Sequence, residues 1–201
     1  MQAEPTAAVL AEGIDLARCK QLVTAGSSGM PLTVYMLPED DDVKDMVWAR
    51  TALANGKRLG DRTAYLKFQS APPRWFERLG VWRRLTLSHL DLPETRLRAM
   101  QKAPVDILRG NAFELLNIAE AALELGIDTI RPRAIFSMGS LLDDDTRVRI
   151  MQAFGCEVFD CYGATELGCI AWECREHAGL HINTDTVVVE FLDGALPAAP
   201  G

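Results

Sequence analysis

An α/β fold, a layered and largely parallel sheet flanked by helices, is what this 201-residue sequence predicts. Three observations carry it. Short apolar or β-branched runs alternate with segments of helical period. Gly or Pro marks most of the junctions between them. Two glycine-containing segments, Thr24–Gly29 and Tyr162–Glu166, directly follow expected strands. Beyond such strand ends is where open α/β sheets bind ligands.

Taken in order, residues 1–15 are alanine-rich and lightly patterned, and read as a frayed or helical lead-in. Gln21-Leu22-Val23 is a short apolar stretch that runs into the glycine loop, and Leu32–Met36 is apolar and β-branched, so the expectation is strand, loop, strand. Pro38 opens a helix with Val43, Met46, Val47, Arg50 and Ala54 at helical spacing, and Gly56 stops it. Ala64–Phe68 reads as a strand, and Pro72–Leu79 as a short helix closed by Gly80. Pro93–Gln101 is a further helix and Val105–Leu108 a short strand.

Phe113, Leu115, Leu116, Ile118, Ala119, Ala122, Leu123 and Leu125 define an amphipathic helix that Gly126 terminates. Ala134–Ser137 is a buried-type strand ending at Gly139. Asp143 or Asp144 caps a helix through Val148, Ile150, Met151 and Phe154 to Gly155. Glu157–Cys161 is the strand that delivers the Tyr162 turn, and Val187–Leu192 is the last strand expected.

Composition narrows the function. A hydrophobic share of 48% and a charged share of 24% are those of an ordinary globular protein. The net charge of -7 argues against nucleic acid, which needs clustered Lys and Arg. Asp40–Asp42 and Asp143–Asp145 stand where helices begin, a position the helix dipole favours for negative charge. No apolar run reaches the ~20 residues of a membrane span, and the N-terminus has no signal-peptide pattern. Five cysteines, an odd number, argue against a complete disulfide framework and for a reducing compartment. A cytoplasmic location is the resulting expectation.

Two motifs carry chemistry. Thr24-Ala25-Gly26-Ser27-Ser28-Gly29 offers backbone amides and hydroxyls suited to phosphate oxygens, and Gly26 and Gly29 can take positive φ. It is neither a Walker loop nor a dinucleotide fingerprint, and on composition alone a surface turn is as good a reading. Tyr162-Gly163-Ala164-Thr165-Glu166 supplies a ring for a base, a hydroxyl for a phosphate and a carboxylate for Mg²⁺. Alone it reads more readily as a strand running into a loop with Glu166 solvated.

Together, in this order, the two segments resemble the adenylate-forming (AMP-binding) superfamily, and most closely the phenylacetate-CoA ligase family. Ile135-Phe136-Ser137-Met138-Gly139 and Phe154–Asp160 are similar to that family's approach to its Tyr-Gly-x-Thr-Glu turn. Glu173-Cys174, Gly179-Leu180-His181, Asp185 and Val189-Glu190 resemble the stretch that follows it. The resemblance implies a partial adenylation N-terminal domain over residues 16–201. Its ribose-binding Gly-Asp motif and the C-terminal domain with its lysine would lie beyond Gly201. Ser140 stands where relatives carry a glutamate.

By the same resemblance Thr24, Gly26, Ser27, Ser28 and Gly29 would hold the phosphates of ATP. Gly139, Tyr162 and Gly163 would flank adenine, Thr165 would contact the α-phosphate, and Glu166 would hold Mg²⁺. Thr165 and Glu166 are the expected catalytic pair. The implied reaction joins an acyl or aryl carboxylate, aromatic acids favoured, to AMP and then to coenzyme A. A homodimer is compatible with it. The alternative is a truncated, non-catalytic nucleotide-binding or interaction module of the same family.

Cys169, Cys174, His177 and His181 could hold zinc, with Cys174 and His181 the pair that aligns with the family pattern. Buried thiols and a core or acid-site histidine are the competing reading. His89 is expected in a loop after Thr86-Leu87-Ser88. Trp75, Phe76 and Trp82 with Arg74, Arg78, Arg83 and Arg84 read as an amphipathic helix that snorkels its arginines, or as a patch for a phosphate. Ser137 has no Gly-x-Ser-x-Gly context, which counts against a serine hydrolase.

Overall fold

A computed structural model describes residues 13–23, 33–67, 73–194 and 196–198. The chain divides into two compact units, Met1–Met46 and Val47–Gly201.

In the first unit, β1 (Lys20–Val23) and β2 (Thr33–Met36) pair antiparallel, with Lys20 opposite Met36 and Val23 opposite Thr33. This matches the expected strand, loop, strand. The loop itself, with Thr24, Gly26, Ser27, Ser28 and Gly29, lies outside the described residues. α1 (Pro38–Ala54), which belongs to the second unit from Val47 on, opens on its proline with Glu39, Asp40 and Asp41 in the first turn, the arrangement that the helix dipole favours. Arg18 and Lys20 reach Glu39 and Asp41 at 2.6 and 3.2 Å. Such exposed pairs contribute little to stability.

The second unit is built on one seven-stranded sheet of β3 (Thr63–Leu66), β4 (Arg84–Leu87), β5 (Ile107–Gly110), β6 (Ala134–Met138), β7 (Glu157–Ala164), β8 (Gly168–Glu173) and β9 (Leu180–Ile182). Its spatial order is β4-β3-β5-β6-β7-β8-β9. β4, β3, β5, β6 and β7 run parallel. β8 and β9 continue it antiparallel.

Each strand sends alternate residues to opposite faces. Ala64, Leu108, Ile135 and Val158 join Leu97 and Met100 of α3 (Pro93–Lys102), Leu115 and Ile118 of α4 (Ala112–Glu124), and Ile150 and Phe154 of α5 (Asp144–Phe154) in one core. Ile107, Ala134, Phe136, Phe159, Cys161 and Cys169 face the other way and pack on Val47, Trp48 and Ala52 of α1. The edge of the Trp48 ring meets Phe136 at a centroid distance of 4.9 Å. Burying a side chain of this size contributes about 1.5–3 kcal/mol. The two hydrophobic layers fix which face of the sheet each site residue occupies.

The helices end where the sequence says they should. Asn111 caps α4 by accepting the Glu114 N–H at 2.8 Å, and Asp143 caps α5 by accepting that of Thr146 at 2.8 Å. Gly155 closes α5 in the left-handed conformation, φ 68°. No helix among the described residues is long and apolar enough to cross a membrane.

Four expectations need correction. The aromatic–basic segment is not one amphipathic helix: α2 (Trp75–Arg78) is a single turn, and Arg84–Leu87 is the edge strand β4. Arg-Leu-Thr-Leu is a strand-like alternation whose arginine is anchored to Glu77 by an Nε–Oε1 bond of 2.7 Å. His89 therefore follows a strand end and is exposed. β7 does not stop at Cys161 but runs through Tyr162 and Gly163 to Ala164, so the turn is Thr165-Glu166-Leu167.

β8 and β9, absent from the sequence reading, fill the stretch where the cysteine and histidine spacing drew attention. Val187–Phe191 is not a strand: the Val187 N–H bonds back to the Asn183 carbonyl, and Val188 is 95% exposed. Strand propensity without a pairing partner does not make a strand. What remains there is β10 (Leu192–Asp193) paired with β11 (Leu196–Pro197).

Candidate active site

The carboxyl ends of β6 and β7 lie side by side. Met138 pairs in register with Cys161, so the next residues along, Gly139 and Tyr162, stand at one level, where β6 has ended and β7 continues to Ala164. Gly139 has φ 97°, and a Cβ built there would meet no atom within 4 Å. Glycine is thus required by the backbone turn and not by crowding. Tyr162 is 61% exposed, with its ring turned to solvent beside that opening strand end.

At Gly163 the reason is the opposite. The register between β7 and β8 shifts between Tyr162 and Gly163, a bulge that re-aims the strand. A Cβ on Gly163 would come to 2.3 Å from the Gly168 carbonyl oxygen and 3.4 Å from the Met138 Sδ. Backbone meets backbone here, so no larger residue fits. Thr165, half-buried, and Glu166, exposed, follow in the turn, and Gly168 closes it with φ 73°. The chain therefore presents a ring, a hydroxyl and a carboxylate from one rigid hairpin at the carboxyl edge.

On the face that α1 covers, the same edge carries residues the sequence reading did not single out. The Arg109 guanidinium of β5 sits 3.8 Å from the Trp48 ring centroid and 5.6 Å from that of Tyr65. Its Nη2 is 3.2 Å from the Met138 Sδ. Cys161 and Cys169 are buried on the same face, with Thr51 Oγ1 at 3.9 Å from the Cys169 Sγ. The hydrogen bond from Cys161 holds the Cys169 thiol below the ordinary thiol range and pushes that of Cys161 up. A signal for Arg109 was available: an arginine at an inward-facing position of an otherwise apolar strand.

The cysteine and histidine residues do not assemble a metal centre. Among the described residues no group of three or more His, Cys, Asp or Glu is placed to hold an ion. Cys169 belongs to the α1-side core. His181 is exposed and lies against Trp172, centroids 5.0 Å apart. Cys174 is a half-buried free thiol just past β8. His177 instead joins an ion network: its Nδ1 is 3.1 Å from Glu173 Oε2, and its ring stacks on Phe159 at 5.5 Å.

Glu173 in that network is buried and receives Arg147 at 2.8 Å and the Asp160 N–H at 3.0 Å. Burial pushes its carboxyl up, but Arg147, the Asp160 amide and His177 outweigh it and leave it below the usual carboxylate range. This network ties α5, β7 and β8 together behind the hairpin. Ser137 is fully buried with its Oγ unpaired and faces no nucleophile-activating group. Ser140 accepts the Ala112 N–H at 2.9 Å, which couples the segment after Gly139 to the start of α4.

No protein-family model and no curated protein matches this sequence. Solved structures do match its fold. An open conformation of 2-hydroxyisobutyryl-CoA ligase in complex with 2-HIB-AMP and CoA aligns with a TM-score of 0.76 at 16% identity, over 93% of this chain and 43% of that one. An anthranilate-CoA ligase in complex with anthranoyl-AMP aligns with a TM-score of 0.58 at 17% identity, over 77% of this chain and 31% of the other. An acyl-CoA synthetase of Brucella canis gives 0.55 at 21% identity, over 77% and 29%. The fold is that of the N-terminal domain of adenylate-forming ligases, and the chain spans less than half the length of these structures.

Proposed function

We propose that this chain is the central part of the large N-terminal domain of an AMP-forming carboxylate–CoA ligase, of the phenylacetate-CoA ligase kind. The observation that carries the reading is the hairpin at the carboxyl edge, where Tyr162 stands level with Gly139 and Thr165 and Glu166 follow in the turn. The likeness of fold to ligases solved with acyl-adenylates supports it. The preference for an aromatic acid, the homodimer and the cytoplasmic location rest on the sequence resemblance and composition alone.

In this reading the Tyr162 ring and the Gly139 backbone flank adenine, and the Thr165 hydroxyl donates to the α-phosphate. By the sequence resemblance the loop residues Thr24, Gly26, Ser27, Ser28 and Gly29 would hold the remaining phosphates. Magnesium fits the site: Glu166 is a solvent-facing carboxylate, the ligand chemistry a hard cation takes. Bound there, the ion would neutralise phosphate charge. Zinc does not fit, because Cys174 and His181 join no ligand cluster.

Protein groups here act by position and charge. The tight Gly163–Gly168 contact constrains the hairpin that carries Thr165, and in this reading Thr165 would hold the α-phosphate for a carboxylate oxygen to attack. Pyrophosphate leaves in that step, and a coenzyme A thiolate displaces AMP in the next.

An AMP titration of the 201-residue chain followed by amide NMR tests the reading. AMP should shift the resonances of Gly139, Tyr162 and Thr165 with weak affinity, and Tyr162→Ala should abolish the shifts. Absence of any shift at those three positions would sink the proposal. Tight ATP binding with steady turnover by this chain would instead overturn its status as part of a larger domain.

A further inference from the structure

The Arg109 guanidinium is anomalous among the arginines of this fold. Arg50, Arg84, Arg96, Arg133 and Arg147 each pair with a carboxylate, respectively Asp185, Glu77, Glu114, Asp61 and Glu173. Arg109 is half-buried on the α1 face, with Ile107 before it on its own strand and Phe136 beside it in register. Among the described residues its neighbours are two aromatic rings, a thioether and the thiols of Cys161 and Cys169, and no carboxylate pairs with it.

A cation over a ring is attracted by the π face, while its five N–H groups still call for acceptors. A methionine sulfur is a weak one. The indole beneath has the same deficit: the Trp48 Nε1–H is buried without a hydrogen-bond partner. Two donors with no strong acceptor stand at one place on an otherwise apolar face, and both would be satisfied by an anion with planar, paired oxygens.

That place is next to the proposed reaction centre. The Met138 Sδ that lies 3.2 Å from Arg109 Nη2 is also the atom 3.4 Å from the Cβ position of Gly163. One side chain, Met138, therefore separates the guanidinium from the Tyr-Gly segment, and a short carbon chain would reach from one to the other in its place.

We propose that Arg109, with the Trp48 indole N–H beside it, is a carboxylate-binding subsite, and that the acid taken by this site is a short dicarboxylic acid in place of the aromatic acid that the sequence resemblance implies. One carboxylate is presented at Tyr162–Thr165 for activation, and the second pairs with the Arg109 guanidinium. The inference rests on the adenylate-forming reading for the role of the first carboxylate. The subsite itself does not depend on it.

The test compares glutarate with pentanoate, two acids of equal chain length that differ in the second carboxylate. Each is titrated into the 201-residue chain by NMR or calorimetry, alongside AMP. Glutarate should bind about ten- to a hundredfold more tightly than pentanoate, the range of a charge-assisted bidentate pair. Arg109→Gln should bring the two acids together. Trp48→Phe, which keeps the ring under the guanidinium but removes its N–H, should narrow the difference several-fold and covers the case in which Arg109→Gln fails to fold.

Equal affinities for the two acids in the wild type would overturn the subsite, as would a preference that survives Arg109→Gln. AMP binding without a dicarboxylate preference refutes the subsite alone. A dicarboxylate preference without AMP binding supports the subsite and refutes the adenylate reading.

Discussion

Replacing Gly163 by Ala probes the hairpin at its tightest point. The added Cβ would stand 2.3 Å from the Gly168 carbonyl oxygen, a backbone atom that no rotamer change can move aside. Non-bonded carbon contacts settle at about 3.5–4.0 Å, so β7 and β8 must part by about 1 Å. The Met138 Sδ at 3.4 Å closes one direction of escape. Overpacking of this kind costs about 1–3 kcal/mol, and the upper end applies where backbone is the obstacle. For a chain of this size that is a fall in Tm of about 6–12 °C, read by scanning calorimetry.

Gly139→Ala is the matched control. It meets no atom within 4 Å but must hold φ 97°, at a cost of about 1–2 kcal/mol from backbone strain alone. Gly163→Ala should be the more damaging of the two and should also weaken AMP binding through displacement of Tyr162 and Thr165. A Gly163→Ala protein that melts within about 2 °C of wild type would refute the close-approach argument, since about 1 kcal/mol of strain already moves Tm that far.

Two further outcomes are expected. Arg147→Met leaves the Glu173 carboxylate buried without its cation and should destabilise the protein at neutral pH by about 3 kcal/mol, the low end for a broken buried pair because Arg147 is partly open to water. The folded-state pKa of Glu173 in the wild type is depressed, so its contribution is present above the unfolded carboxyl value of about 4.3 and is lost as pH falls through the folded value. Urea titrations should therefore show the gap between wild type and Arg147→Met shrinking as pH drops from 7 toward 4; a constant gap would count against the pairing. Zinc, finally, should neither raise Tm nor be retained through purification, and a chelator should leave Tm unchanged. Stoichiometric zinc by elemental analysis would contradict the lack of a ligand cluster among the described residues.

Local chemistry made much of the fold legible. Pro38, Gly56, Gly126, Asp143 and Gly155 act within a few residues of themselves, through fixed φ, a cap or a left-handed turn, and each helix they bound is where the sequence put it. α4 was readable because its apolar period is long enough to average out single residues. The failures are the cases that depend on a distant partner. β4 is basic because it is an edge, and an edge strand lacks the apolar signature of a central one. Val187–Phe191 has the composition of a strand but no neighbour to pair with among the described residues. Arg109 meets Trp48 only once α1 has packed on the sheet.

Departures from local rules occur across the fold, among them Trp82 and His177 at positive φ and the unpaired Arg96 Nε and Trp82 Nε1, and several stand near the site. Behind the site, Arg147, Glu173 and His177 are mutually satisfied, and the α3–α4–α5 face is a continuous hydrophobic core. At the carboxyl edge of β5, β6 and β7 stand a positive-φ glycine, a bulge, a backbone contact only glycine allows, an arginine without a carboxylate and an indole N–H without an acceptor. A fold tolerates conflicts between local preference and tertiary demand chiefly where function requires them. One such irregularity is weak evidence of a site. The bulge and the Gly163–Gly168 contact share one cause, the register shift at Tyr162 and Gly163, while the Arg109 and Trp48 donors are the groups that the proposed subsite would satisfy.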